Sequence, residues 1–267
     1  MKRYFIYLSF FSVLLVFSAC QDSSLSPDDS VQDGNSGLNK NGNSSGSALD
    51  FDGSGGFVLV PDDASLDMSD KVTITAWIYF NADSYPADYA SIVTKGIEEN
   101  NYTLHTINGG QFALTAGTAT GGFQAVSDNA PLTPEVWHHV AATFQYDGTT
   151  QEIKFYIDGS EAGISSFGGT DPAPLSSNNE PLIIGADFPG GDEFWYGRID
   201  EVRVWNDVLT RGNIRASMND SRTRSSSLAG FWKFNEGSGT LAGDESGNNN
   251  DGTLIGAGVE FVSPGVH

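Results

Sequence analysis

The chain is poor in cations. Lysine and arginine total 13 against 34 aspartates and glutamates, a formal net charge of −21. A surface this acidic repels nucleic-acid phosphates and anionic lipid headgroups, which excludes a nucleic-acid partner. It suits neutral or cationic partners and divalent cations. There is one cysteine, Cys20, so no internal disulfide can form. Histidines number four. His138 and His139 are adjacent, and adjacent strand residues point to opposite faces, so the two cannot chelate one ion. His105 and His267 have no evident partner. The sequence has no Gly-x-Ser-x-Gly elbow, no glycine-rich phosphate loop ending in Lys-Ser/Thr, and no thiol nucleophile in its body. Helix signals are scarce as well. The single one is Thr210 as N-cap before "RGNIRASM", with Ile214 and Met218 four apart.

What is present begins with "MKRYFIYLSFFSVLLVFSAC". Lys2 and Arg3 precede an apolar run, and residues 1–19 read as a secretory signal peptide, too short for a spanning helix. Phe17-Ser18-Ala19-Cys20 resembles the bacterial lipobox, with Phe17 where leucine is usual. The resemblance implies cleavage before Cys20 and acylation of its thiol. Each buried methylene contributes about 0.8 kcal/mol to membrane attachment, so two or three chains anchor stably. The expected location is the bacterial envelope at the outer membrane, tethered by lipid. Losing residues 1–19 removes Lys2 and Arg3 and no acids, so the mature charge is 11 − 34 = −23. Residues 20–46 are Ser, Asp, Asn and Gly with little to bury, and read as a disordered linker. As a flexible coil they span roughly 30 Å.

From residue 47 the texture changes. "KVTITAWIYF" (71–80) alternates, with Val72, Ile74, Ala76, Ile78 and Phe80 on one face and Thr73, Thr75, Trp77 and Tyr79 on the other. "VWHHVAATFQY" (136–146) repeats the pattern, and Asp158-Gly159 is a hairpin dipeptide. Roughly a dozen short strands with Gly-rich turns predict an all-β fold, a two-sheet antiparallel β-sandwich or jelly roll with one short helix, in a single domain over 47–262. Residues 263–267 are a tail.

Eight segments carry a family resemblance: "ALDFDG" (48–53), "VPDDASLD" (60–67), "TITAWIYF" (73–80), "SIVTKG" (91–96), "WHHVAATFQYDG" (137–148), "FYIDG" (155–159), "YGRIDEVRVWNDVL" (196–209) and "LAGFWKFNEGSG…DESGNNNDGTL" (228–254). In this order they resemble the laminin-G-like jelly rolls of the concanavalin A-like lectin/glucanase superfamily. In many relatives the last segment precedes the first. Here residues 228–262 are either the closing strands of the same sandwich in rotated order or the start of a truncated second module. About 35 residues cannot build a stable core alone, which favours closing strands.

The resemblance implies one structural calcium, held by an early loop and an aspartate of a late strand. Carried over, the ligands are Asp52 with the Gly53 carbonyl, and Asp200. Relatives often place an aspartate where Gly56 stands. Without the ion, Asp52 caps a turn and Asp200 pairs with Arg198 or Arg203. "DESGNNNDG" (244–252) is oxygen-rich but lacks the spacing of an EF-hand and reads as an Asn/Gly turn. The family's retaining glucanases carry Glu-x-Asp-x-x-Glu on one strand face, and that pattern is absent here. The resulting expectation is a noncatalytic binding module for carbohydrate or an extracellular protein, with no catalytic residues. Trp195 and Tyr196 are the candidate ring-stacking side chains; Trp77, Trp137, Trp205 and Trp232 are read as strand packing. Two alternatives stand beside it. One is a glycan hydrolase or lyase using Asp192, Glu193 or Glu201; the other is a structural or adhesion protein of the cell surface.

Tethering through Cys20 has a direct check. Cys20→Ser is expected to abolish incorporation of labelled fatty acid and to shift the protein out of the membrane fraction; a mutant that still incorporates label would place the anchor elsewhere.

Overall fold

The computed structural model describes residues 46–81, 89–96, 101–107, 110–128, 132–189, 191, 193–219 and 225–266. The signal peptide, Cys20 and most of the linker lie outside the described residues. The strands in chain order begin with β1 (Ala48–Asp52), β2 (Phe57–Val60), β3 (Lys71–Phe80), β4 (Ala90–Lys95), β5 (Tyr102–Ile107) and β6 (Gln111–Thr118). Next come β7 (Gly121–Ser127), β8 (His138–Tyr146), β9 (Gln151–Ile157), β10 (Ser160–Ala162), β11 (Ile164–Gly169) and β12 (Leu182–Ile184). β13 (Tyr196–Trp205) leads into the helix α1 (Arg211–Ser217), followed by β14 (Leu228–Trp232), β15 (Leu241–Ala242), β16 (Gly252–Ile255) and β17 (Val259–Val262).

These strands form two antiparallel sheets, the sandwich expected of a jelly roll. The eight-stranded sheet runs β10-β9-β8-β3-β13-β1-β17, with β14 also on β13; the nine-stranded sheet runs β11-β7-β6-β5-β4-β12-β2-β16-β15. The late strands lie among the early ones: β17 pairs with β1, β16 with β2, and β14 with β13. The rotated order of segments therefore fills the same two sheets.

The core follows from period-two alternation. Val72, Ile74, Ala76, Ile78 and Phe80 of β3 are all buried between the sheets with Leu49, Phe51, Val140, Phe144, Leu104, Leu114, Ile184 and Ile199. Part of the other face of the eight-stranded sheet is also covered. Ala141, Tyr156, Trp205, Leu228 and Phe231 form a second apolar cluster beneath Ile214 of α1. The Thr210 hydroxyl accepts from the Asn213 N–H and fixes the start of that helix. Asp158 (φ 48°) and Gly159 (φ 69°) make the two-residue turn between β9 and β10.

One ion cluster ties the nine-stranded sheet to its loops. The Lys95 side chain is fully buried. Its Nζ lies 2.8 Å from Asp62, 3.1 Å from Asp67, 3.0 Å from Asn178 Oδ1 and 2.7 Å from the Glu180 carbonyl. An ammonium taken out of water is tolerable only when oxygens replace its hydration shell, as they do here. Lys95→Met leaves two aspartates facing one another. It is expected to cost roughly 3 kcal/mol, the low end for breaking a buried pair, because both carboxylates keep some solvent. For a domain of this size that is a fall in Tm of about 6–12 °C in a thermal melt; an unchanged Tm would refute this account of the cluster.

Candidate functional site

At one end of the eight-stranded sheet, the outer face stays open. Leu49, Phe51, Ile199, Ile78 and Phe80 point into the core. Alternation therefore turns Asp50, Asp52, Tyr196, Arg198, Trp77 and Tyr79 outward. The register aligns them into rows. Glu260 lies opposite Asp50, Asp50 opposite Arg198, and Arg198 opposite Tyr79, across four strands. Arg198 Nε donates to Asp50 Oδ1 at 3.2 Å, and its guanidinium carbon sits 5.3 Å from the centre of the Tyr79 ring. Trp137, half-buried just before β8, continues the row with its ring 5.6 Å from that of Tyr79, tilted by 56°. One step toward the sheet end, Asp52 faces Tyr196, which is 43% exposed.

One step the other way, the row is Asp200, Trp77 and His139. In this row Asp200 and His139 are buried and Trp77 is half-buried. Asp200 is buried, and its carboxylate accepts N–H bonds from Val266 and Glu201, both at 2.8 Å. Burial holds its pKa well above the usual carboxylate range. Glu201, at φ 50°, sits in a bulge and forms a buried ion pair with Arg203, whose guanidinium lies 3.9 Å over the Phe231 ring. His139 packs edge-on against Trp77 at 5.3 Å. Burial and the nearby Arg203 charge depress its pKa to about 3.

The expected calcium ligands are not brought together. Asp52 faces Tyr196 of β13, and Asp200 lies four residues further along that strand, roughly 13 Å at 3.3 Å per residue. The Asp52 carboxylate accepts from the Ser54 N–H and hydroxyl, which lowers its pKa. Gly53, at φ 74°, only turns the chain beneath Tyr196. Both Asp200 oxygens already accept from backbone. One calcium shared by Asp52, Gly53 and Asp200 is therefore corrected: these residues do not fit it, because β1 and β13 pair in a register that separates them. Among the described residues no group of three or more His, Cys, Asp or Glu side chains could hold a metal. Gly56 is required for packing, since a Cβ there would lie 2.3 Å from the Gly258 backbone. An aspartate at that position is sterically excluded.

Trp195 is the second correction. It is 1% exposed and belongs to the main core, so its ring cannot stack on a ligand; Tyr196, the next residue, points outward. Neither arginine pairs with Asp200, since Arg198 binds Asp50 and Arg203 binds Glu201. Glu193 accepts a bond from the Ser91 hydroxyl at 3.2 Å, and Glu201 is sealed against Arg203. Asp192 and His267 lie outside the described residues. In the 244–252 loop, Asp244 accepts the N–H groups of Phe231, Ser246 and Asn250, so it clasps its own turn. Sequence reasoning missed Arg198, Asp50 and Trp137 as members of the same outward strip as Tyr196. The available signal was Trp77 and Tyr79 sharing the polar face of an alternating strand.

A family model described as the concanavalin A-like lectin/glucanases superfamily, of laminin-G type, matches residues 52–215. The chain belongs to that family. No curated protein matches it by sequence. Among solved structures it is similar to a candidate carbohydrate-binding protein from Bacteroides ovatus ATCC 8483, at 22% identity and a TM-score of 0.60. The alignment covers 82% of this chain and 60% of that one, so the chain spans less than two thirds of that protein. It is also similar to the heptameric SAP-like pentraxin of Limulus polyphemus, at 17% identity and a TM-score of 0.51, covering 81% of this chain and 94% of that one. At these identities the likeness shows the fold.

The buried imidazole gives a pH test. A base whose folded pKa lies below its unfolded value of about 6.5 contributes stability that is fully present above pH 6.5. It is lost as pH falls toward about 3, because only the unfolded chain takes the proton. The slope is at most about 1.4 kcal/mol per pH unit. His139→Phe keeps the contact with Trp77 and removes this term. Its Tm should fall less than that of the native chain between pH 6.5 and pH 4; parallel falls would overturn the assignment.

Proposed function

We propose that this chain is a noncatalytic, lipid-tethered module of the bacterial envelope that binds carbohydrate on the outer-face strip of Tyr196, Arg198, Tyr79 and Trp137. The observation that carries this reading is a set of part-exposed aromatic rings in register with an arginine and carboxylates on a rigid sheet. Ring faces stack on the apolar faces of sugars, while the guanidinium and carboxylates bond hydroxyls. The Bacteroides ovatus relative is described as a candidate carbohydrate-binding protein, which supports the reading by analogy of fold. The noncatalytic character is supported by how the candidate acids are used. Glu201 neutralises Arg203, and Glu193 bonds Ser91, so these two do not form an open pair for acid–base work. The leader and Cys20 support the tether.

A second reading, an extracellular protein ligand, rests on another surface. A groove of about 450 Å³ beside the edge strand β11 is lined by Ile153, Ile164, Phe167 and Pro172, with Ile164 and Phe167 over 40% exposed.

A glycan array with the full chain tests the first reading. Binding is expected, and Tyr196→Ala or Trp137→Ala should weaken it by about five- to a hundredfold, the worth of roughly 1–3 kcal/mol for a lost stacking ring. Phe167→Asp should leave it intact. No glycan bound, or binding lost only with Phe167→Asp, would overturn the assignment to the strip.

A further inference from the structure

The strip has an unbalanced charge. Three carboxylates, Asp50, Asp52 and Glu260, face one cation, Arg198, among its described residues. Arg198 is already held between the Asp50 carboxylate at 3.2 Å and the Tyr79 ring at 5.3 Å. Its charge is spent within the strip. Asp52 and Glu260 are exposed, and no ion pair is formed by either among the described residues. Asp52 stands opposite Tyr196, and Glu260, on the edge strand β17, stands at the outer end of the Arg198 row. Hydrogen bonds from the Ser54 hydroxyl and N–H favour the ionised form of Asp52 and lower its pKa. The whole chain adds a field of the same sign.

These features select among sugars. A uronate, sialate or sulfated chain would bring anions against two uncompensated carboxylates. A protonated amine meets carboxylates at the β17–β1 end of the strip and the negative faces of Tyr196, beside Asp52, and Trp137, at the β8 end, where an ammonium is attracted by the ring quadrupole. From β17 to β3 the row spans three strand spacings, about 14 Å at 4.8 Å each, which suits an extended chain better than a single ring. We propose that the strip recognises a glycan bearing free, protonated amino groups, as in a chain of unacetylated hexosamine residues, and discriminates against acidic glycans. This rests on the carbohydrate reading and specifies its ligand.

The test is calorimetric titration of the full chain at mildly acid pH with oligomers of glucosamine, with the same oligomers fully N-acetylated, and with oligogalacturonate. Glucosamine oligomers are expected to bind tightest and to weaken sharply as salt rises toward molar, where the screening length is about 3 Å. Asp52→Asn with Glu260→Gln should lower their affinity roughly two- to thirtyfold, two exposed charge pairs' worth, and leave the acetylated oligomers unaffected. Glu260→Gln alone gives the same reading at smaller size if the double variant melts early. Equal, salt-insensitive binding of acetylated oligomers, or tighter binding of oligogalacturonate, overturns the amine inference and leaves the carbohydrate reading standing. Amine binding untouched by both variants overturns its placement on this strip. Binding of none of the three, with no hit on the glycan array, overturns both readings together.

Discussion

The bulge in β13 decides which side chains the eight-stranded sheet buries and which it presents. Opposite Trp77 and Thr75 of β3 stand Asp200 and Arg203, so β13 carries one residue more than its partner between them. Uninterrupted alternation from Ile199 would send Glu201 and Arg203 into the core and Val202 and Val204 out of it. The extra residue, with Glu201 at φ 50°, resets the phase. Val202 and Val204 then join the core, and Arg203 and Trp205 face outward. The Glu201–Arg203 pair satisfies both charges beside the bulge, and Phe231 covers the guanidinium. β13 also carries β1 along its first half and β14 along its second, so the first strand and a late one both hang on it.

That geometry grades the outer face from closed to open. At one end α1 and Ile214 roof Trp205, Ala141 and Tyr156. In the middle the C-terminal residues cross Asp200, with the Val266 N–H on its carboxylate and the Gly265 N–H on the Gly46 carbonyl. Toward the far end Trp77, Tyr79 and Trp137 are part-exposed and Tyr196 is exposed. The same strands thus supply a stabilising polar layer in the middle and a presentable surface at the end. The change from one to the other takes a single row of residues.

Acidic groups in this chain serve several ends. Asp158 accepts the His139 N–H and sits 2.8 Å from the His138 ring, bracing the turn after β9. Asp244 organises the late loop, where the buried Trp232 indole donates to the Asn250 carbonyl. Asp62 and Asp67 neutralise Lys95. Asp50, Asp52 and Glu260 stand on the open end of the sheet and give that surface a net negative charge beside Arg198. Fold alone does not specify function in this superfamily, so the weight falls on that surface.

Much of the fold was legible in the chain. Alternation in residues 71–80 and 136–146 gave the strands and their buried faces, Asp158-Gly159 gave a turn, and Thr210 with Ile214 gave the helix and the side it buries. These are local signals, set by the two-residue period of a strand and the 3.6-residue period of a helix. The site was only partly legible. Tyr196 could be proposed from its setting, but whether Trp195 or Tyr196 faces solvent depends on where core alternation begins in β13. Asp52 and Asp200 looked able to meet because both lie near strand ends, and only the pairing register shows them separated. The sequence by itself determined the elements and the two-sheet class. Tertiary structure alone decided the phase of β13, the register of β1 upon it, and hence which carboxylates are buried as braces and which stand beside exposed rings, because those depend on contacts between residues some 150 positions apart, such as Asp50 and Arg198.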